Sequence, residues 1–213
     1  MQSQVSVSLT IRQLKQAVLC IAVITSGTIL AASCSHENTY RAELASPLNA
    51  NAETGVIILS AGSTAPCHLF SPATGLRIFH LEGVHFPFAA VAKLDVNNRY
   101  VESEFSDHHG RLYVFPLRAG KYFLEPYLMH AYVYYSHPPR AEFEVHPNET
   151  SYLGEFFMPR ECGGDGGMQF VDQEARDVGM LVAKNPAFAK VAITKRLLLF
   201  TGRQSFWGGL LGY

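Results

Sequence analysis

The sequence predicts a mainly β protein, namely a roughly seven-stranded antiparallel sandwich followed by one or two C-terminal helices. Aromatic residues make up 12% of the 213 residues, and Tyr, Phe and Val are residue types that favour strands. Apolar runs of strand length recur along residues 55–160, and each is bounded by Gly, Pro or Asn. Their close spacing is typical of sandwiches and barrels. We therefore expect a single β-sandwich domain over residues 55–160.

The segment before this domain, residues 1–33, has the order of a secretory signal peptide. Its charged residues are Arg12 and Lys15, and the apolar run 17–30 follows them and gives way to small residues. A basic start, an apolar middle and small residues before the cut are typical of export signals. An uncleaved membrane anchor is the alternative, because the run approaches the roughly 20 residues that span a bilayer.

The end of this signal resembles the lipobox of bacterial lipoproteins, in which small residues precede a cysteine that is lipidated and becomes the mature N-terminus. The matching residues are Leu30-Ala31-Ala32-Ser33-Cys34. The family prefers Leu three residues before the cysteine, whereas Ala31 holds that place here. The resemblance implies that lipidated Cys34 holds the chain on a membrane in the cell envelope. Ser35 stands where inner-membrane lipoproteins commonly have Asp, which favours the outer membrane over inner-membrane anchoring.

The charge balance argues against nucleic-acid binding. The net charge of the whole chain is -1, and removal of residues 1–33 leaves 15 basic and 18 acidic residues. Binding by phosphate neutralisation needs a basic face and usually a basic isoelectric point. We therefore expect a membrane or another envelope protein as partner, and no nucleic acid.

The four cysteines fall into different segments. Cys20 lies inside the signal and Cys34 is the candidate lipid acceptor, so Cys67 and Cys162 remain in the exported part. In an oxidising compartment these two can form a disulfide, which on the chain-entropy model stabilises a fold by roughly 4–5 kcal/mol. Two unpaired thiols are the alternative. Neither cysteine has a second Cys or His at the spacing of a zinc knuckle.

Residues 34–54 are polar and show no periodicity, which predicts a flexible tether.

Residues 111–127 show a strand, a turn containing Gly120 and a second strand, and this order predicts a hairpin. The turn 147–150 precedes the last strand of the sandwich. The other predicted strands occupy residues 56–60, 76–81, 88–96, 131–135, 141–145 and 151–158.

Beyond the sandwich the composition changes. Residues 161–171 are rich in Gly and predict a connection, and residues 172–200 predict a helical segment with acids at its start. Pro186 divides this segment into a first helix up to about Lys184 and a second helix at 187–200. Residues 201–213 form a tail rich in Gly and aromatic residues.

Part of the sandwich is similar to small transthyretin-like domains, which include carboxypeptidase regulatory-like domains and bacterial lipoproteins that carry them. The motifs are Leu117-Arg118-Ala119-Gly120-Lys121-Tyr122, the strand residues 143–145, and the turn and strand at 148–154. The similarity covers about residues 55–160, and its motifs are architectural. It implies a seven-stranded β-sandwich and no shared chemistry.

The densest cluster of candidate metal ligands is Asp107-His108-His109-Gly110. His and Asp are ligands of transition metals, and His80 and His85 could approach the cluster in a sandwich. Adjacent histidines on a strand point to opposite faces, however, and the position between two strands favours a turn. His108 and His109 therefore remain weak metal candidates, and we expect no cofactor.

The sequence has no catalytic signature. A nucleophile elbow, a His-Glu-x-x-His pair, a phosphate loop and a dinucleotide-binding Gly motif are all missing from it. We therefore expect a protein that is not an enzyme.

Three functions agree with these observations. The first is an envelope lipoprotein that acts as a binding or scaffolding module through a sheet edge or the aromatic strand at 132–135. The second is a module that binds carbohydrate or peptidoglycan, which needs an exposed platform of aromatic rings. The third is a periplasmic metal-binding protein that uses His108 and His109. Candidate rings for the second function are Tyr127, Tyr132, Tyr134 and Trp207.

Overall fold

The computed structural model describes residues 50–68, 71–81, 90–130, 133–135, 137–160, 162, 167–201 and 208–209. The predicted signal peptide, the lipid acceptor Cys34 and most of the predicted tether lie outside these residues. Among the residues described, no helix is long and apolar enough to cross a bilayer. The strands are β1 Thr54–Ser63, β2 Thr74–His80, β3 Ala92–Asp95, β4 His109–Arg118, β5 Gly120–Leu128, β6 Val133–Tyr134, β7 Ala141–Val145, β8 Thr150–Met158, β9 Gln169–Val171, β10 Ile193–Lys195 and β11 Gly208–Gly209.

Two sheets form the sandwich, which confirms the predicted fold class. Sheet A has the order β10-β8-β1-β4 with β9 also on β8, and sheet B has the order β3-β2-β5-β7. Alternate apolar residues of both sheets meet in one core, which includes Ile57 and Leu59 from β1, and Ile78 and Leu124 from sheet B. All pairings are antiparallel except those of β8 with β1 and with β10, which are parallel.

The predicted hairpin at residues 111–127 is wrong. β4 pairs with β1 in sheet A, whereas β5 pairs with β2 and β7 in sheet B. The chain crosses between the sheets at Ala119 and Gly120, where Gly120 has a φ of +151°. The hydroxyl of Tyr122 donates to the carbonyl oxygen of Arg118 at 2.8 Å and closes this corner. An alternating pattern fits neighbouring strands and facing strands equally well, so it could not distinguish a hairpin from a crossing.

The predicted C-terminal helical segment is correct in its first half. An α-helix, α1, spans Glu174–Lys184, and a short 3₁₀ helix spans Pro186–Lys190. The second predicted helix is wrong, because the chain after the 3₁₀ helix becomes β10 and pairs with β8. Residues Val191, Ile193 and Thr194 are β-branched, and β-branched residues favour strands when a sheet edge is available. The predicted Gly-rich connection at 161–171 also ends in a strand, β9.

The ends of the domain differ from the predicted boundaries in two further places. Asn51 forms a bridge with Thr54, and Asn148 donates its backbone N–H to the carbonyl oxygen of Asn51 at 2.9 Å. Residues 50–54 therefore belong to the domain and not to the tether. In the predicted tail, Thr201 forms a bridge with Arg140, and β11 pairs with β6 in a separate two-stranded ribbon.

A disulfide joins Cys67 and Cys162, whose Cα atoms are 4.8 Å apart. This is one of the two arrangements that the sequence left open. The bond links the connection after β1 to the segment after β8, and 95 residues separate its ends along the chain. On the chain-entropy model a loop of this length corresponds to about 4–5 kcal/mol of stabilisation.

A β-bulge in β8 determines which side chains face α1. Ile58 of β1 pairs with Tyr152 and Ser60 pairs with Glu155, so two residues of β8, Leu153 and Gly154, lie opposite one residue of β1. Without the extra residue, positions three apart would point to opposite faces of the sheet. The bulge instead places Tyr152 and Glu155 on the same outer face, where α1 packs.

Replacement of Gly154 by Ala is expected to lower the free energy of unfolding by about 1–3 kcal/mol, because a non-glycine residue is strained at such a φ. Gly154 has a φ of +100°, and a Cβ there would lie 3.2 Å from the carbonyl oxygen of Val171. Urea unfolding measures the change. Gly179→Ala is the matched control, because an added Cβ meets no atom within 4 Å and Ala favours helix by about 0.5–1 kcal/mol over Gly. A similar change in both variants would contradict a special role for the bulge.

Candidate functional site

The predicted metal candidates do not form a metal site. Both ring nitrogens of His108 are engaged, Nδ1 with Asp107 Oδ1 at 2.8 Å and Nε2 with Glu155 Oε1 at 2.7 Å. His109 begins β4, and His80 lies at the end of β2 in sheet B with its ring against Tyr122. His85 lies outside the described residues. No group of three or more His, Cys, Asp or Glu side chains suited to a metal ion occurs in the part of the chain that the structure describes.

His108 instead belongs to a chain of polar side chains between α1 and sheet A, which we name the helix-sheet cluster. Its members come from β1, β8, α1 and the loop before β4, and each of them bonds to at least one other member. Four of them, Ser60, Tyr152, Glu155 and Asp177, are almost completely buried. The members are Ser60, Asp107, His108, Tyr152, Glu155, Arg176 and Asp177.

Asp177 lies at the centre of this cluster. Its Oδ2 accepts hydrogen bonds from Ser60 Oγ at 2.5 Å and from the Tyr152 hydroxyl at 2.9 Å. Its Oδ1 accepts from Arg176 Nη2 at 2.7 Å, and the same nitrogen lies 3.2 Å from Glu155 Oε2. The guanidinium of Arg176 also lies 4.0 Å from the centre of the Phe105 ring. Every charge in the interior of the cluster therefore has an opposite charge or a hydrogen-bond donor beside it, as buried charges require.

Electrostatics links the members of the cluster. Burial opposes protonation of His108, but the hydrogen bonds and negative charges of Glu155 and Asp107 outweigh it, and the pKa of His108 is raised. Burial raises the pKa of Asp177, although Ser60, Arg176 and Tyr152 all stabilise its carboxylate. With His108 protonated, two cations face the two buried carboxylates, so the interior of the cluster is neutral. Protonation of His108 therefore stabilises the cluster.

The geometry makes the helix-sheet cluster a structural connection between α1 and sheet A. Its polar atoms bond to one another across the interface between α1 and sheet A. Gly62 is needed beside it, because a Cβ there would lie 2.8 Å from His108 Cδ2. From the sequence, Asp177 is one of the acids near the start of a predicted helix, and its role in this cluster is not predicted. The available signal was the spacing of Asp177 and Leu181, which lie one turn apart on the buried face of α1.

A second candidate site is a pocket of about 280 Å³ at the end of sheet B. Its lining includes the side chains that follow β5 and the aromatic strand β6, and we name it the aromatic pocket. Tyr134 at its rim is 55% exposed, whereas Tyr135 is buried and Tyr127 is half-buried. Tyr132 and Trp207, the other predicted platform residues, lie outside the described residues. The lining includes Arg77, Tyr127, His130, Tyr134, Tyr135 and Pro138.

Arg77 is held firmly at one side of the aromatic pocket. Its guanidinium lies 5.0 Å from the ring centre of Tyr127 and 5.5 Å from that of Phe79. Its Nη2 donates to Glu125 Oε1 at 2.9 Å, and Glu125 Oε2 also accepts from Arg140 Nε at 3.2 Å. Burial raises the pKa of Tyr127 to about 12, so this phenol is neutral at physiological pH. The pocket combines exposed aromatic surface with a fixed cation.

Comparison with known proteins gives little information on these sites. No family model matches the chain, and no curated protein sequence matches it. A solved structure described as "Putative cell adhesion protein from Parabacteroides distasonis ATCC 8503" aligns with 55% of this chain and 38% of its own, at 12% identity and a TM-score of 0.29. A TM-score this low does not establish a common fold.

The raised pKa of His108 predicts a pH dependence of stability. A raised pKa means that the folded protein holds the proton more tightly than the unfolded chain does, so the stabilisation is full below the ordinary value of 6.5 and is lost as the pH rises through the folded value. The wild type is therefore expected to exceed His108→Gln in free energy of unfolding by more at pH ~5.5 than at pH ~8.5. Urea unfolding at the two pH values measures this difference.

His109→Gln is the matched control. Burial lowers the pKa of His109, so the neutral form is favoured in the folded protein and the stabilisation is lost as the pH falls. The advantage of the wild type over this variant is expected to shrink at acidic pH. A pH dependence of the same sign for both variants would contradict the assigned electrostatics.

Proposed function

We propose that the chain is a non-catalytic binding module of the cell envelope, tethered to a membrane through Cys34, and that the aromatic pocket is its contact surface. The observation that carries the proposal is Tyr134, a large aromatic side chain that is 55% exposed at the rim of a pocket beside a fixed arginine. Exposed aromatic residues and arginines are enriched where proteins recognise partners.

Two features support the proposed location. The order of charges and apolar residues in residues 1–33, followed by Cys34, is typical of an exported lipoprotein. Paired cysteines such as Cys67 and Cys162 are usual in oxidising compartments outside the cytosol. The acyl chains of a lipidated cysteine contribute about 0.8 kcal/mol per buried methylene, so several chains hold a protein stably on a bilayer.

The burial of two acidic side chains supports the proposal of a non-catalytic role. Catalytic acids and bases need access to substrate. Asp177 and Glu155, by contrast, are 0% and 1% exposed, and their carboxylates bond to neighbouring side chains. The aromatic pocket, by contrast, presents the exposed ring of Tyr134 to solvent. Recognition is therefore the activity that this geometry favours.

Replacement of Cys34 by Ala is expected to move the protein from the membrane fraction to the soluble fraction, because the thiol that would carry the lipid is removed. Cys20→Ala is the matched control and is expected to stay in the membrane fraction. Fractionation of cells and mass spectrometry of the mature N-terminal peptide measure the two results. An N-terminus at Met1, or a cut elsewhere than before Cys34, would contradict the tether.

A photo-crosslinking residue in place of Tyr134 is expected to capture an envelope component in native membranes, because this ring is exposed at the pocket. The same residue in place of Tyr100, which is 80% exposed elsewhere, is the control and is expected to capture that component weakly. Mass spectrometry identifies the product. Equal capture at both positions, or none at position 134, would contradict a binding role for the pocket.

A further inference from the structure

The aromatic pocket has the apolar surface that a sugar ring needs. Tyr134 presents an exposed ring at the rim, and Pro138, Tyr127 and Tyr135 add apolar lining. Tyrosine combines a flat apolar face with a hydroxyl, so it can contact the C–H face of a sugar and hydrogen-bond its hydroxyl groups. A volume of about 280 Å³ lies just below the range of ordinary small-molecule sites. It fits one sugar residue of a longer chain.

The charged side chains that line the pocket have one sign. Among its described lining residues, Arg77 and His130 are basic and none carries a carboxylate. Nearby, the carboxylate of Asp95 carries a negative charge that acts on Tyr127, and Glu125 divides its two oxygens between Arg77 and Arg140. Two guanidiniums therefore share one carboxylate, and this group retains a positive charge that attracts an anion.

Arg77 also has a hydrogen-bond donor that no described residue uses. Its Nε is buried, and among the described residues it has no hydrogen-bond partner. A buried donor without an acceptor is unfavourable, and an ionised acceptor satisfies it best. Phe79, Tyr127 and Glu125 hold the guanidinium in place, so binding of an acceptor costs little further ordering of this side chain.

We infer that the aromatic pocket binds a carboxylate-bearing sugar residue of a glycan, with the sugar ring against Tyr134 and the carboxylate at Arg77. This inference rests on the proposed function and names the chemical class of its ligand.

Calorimetry on the mature chain with tetragalacturonate and with maltotetraose, which differ in the sugar carboxylate and in the configuration at C4, tests the inference. Tetragalacturonate is expected to bind, and Tyr134→Ala is expected to weaken binding roughly tenfold, since an aromatic contact contributes on the order of 1 kcal/mol. Tyr100→Ala, the matched control, is expected to bind like the wild type. Maltotetraose is expected to bind roughly tenfold more weakly, and added salt is expected to reduce this difference.

Arg77→Lys keeps the charge but removes the Nε–H donor, and it is expected to reduce the preference for tetragalacturonate over maltotetraose. If this variant does not fold, the comparison of Tyr134→Ala with Tyr100→Ala still tests the inference. Equal binding of both sugars, or wild-type binding by Tyr134→Ala, would overturn the inference. If neither sugar binds while position 134 still crosslinks to an envelope protein, the inference fails and the proposed function stands.

Discussion

The extra residue in β8 is the constraint on which the arrangement around α1 depends. Side chains alternate along a strand, so an insertion of one residue reverses the faces of all residues that follow it. At Gly154 this reversal brings Glu155 to the face that already holds Tyr152, and it keeps Leu153 and Phe156 together in the core between the sheets. The bulge at Gly154 therefore determines both which side chains face the core and which side chains face α1.

Because of this reversal, α1 meets polar as well as apolar side chains on sheet A. The apolar contacts join Leu181 of α1 and Phe188 of the following 3₁₀ helix to side chains of β1. The polar contacts join Asp177 and Arg176 of α1 to side chains of β1 and β8. Apolar contacts are tolerant of small shifts, whereas a buried carboxylate with three donors accepts one position of the helix. Buried ion pairs add little net stability in general, and removal of one partner is strongly destabilising. The helix-sheet cluster therefore fixes where α1 sits more than it increases the total stability.

The two sheets thus differ in what their outer faces can do. The outer face of sheet A is covered by α1 and by the helix-sheet cluster, whose polar groups bond to one another. At sheet B, cations lie over aromatic rings, with Arg77 on Tyr127 and Arg140 at 4.5 Å from Phe123, and the exposed Tyr134 lies beside them. Recognition sites are commonly found on such aromatic and cationic surfaces at the ends of a rigid scaffold. This contrast is the physical basis for placing the binding role at the aromatic pocket.

The sequence by itself determined the features that depend on neighbouring residues. Alternation and β-branched or aromatic composition predicted the strands, the turn at 147–150 agrees with the positive φ of 59° at Asn148, and the first acids after residue 171 predicted α1. Tertiary structure alone decided the rest: that β4 and β5 lie in different sheets, that residues 193–195 form a strand, and that His108 bonds to Glu155. Strand pairing and buried polar contacts join residues far apart in the chain, for example Ser60, which donates a hydrogen bond to Asp177. A local pattern indicates that a residue will be buried, but only the folded chain determines what it is buried against.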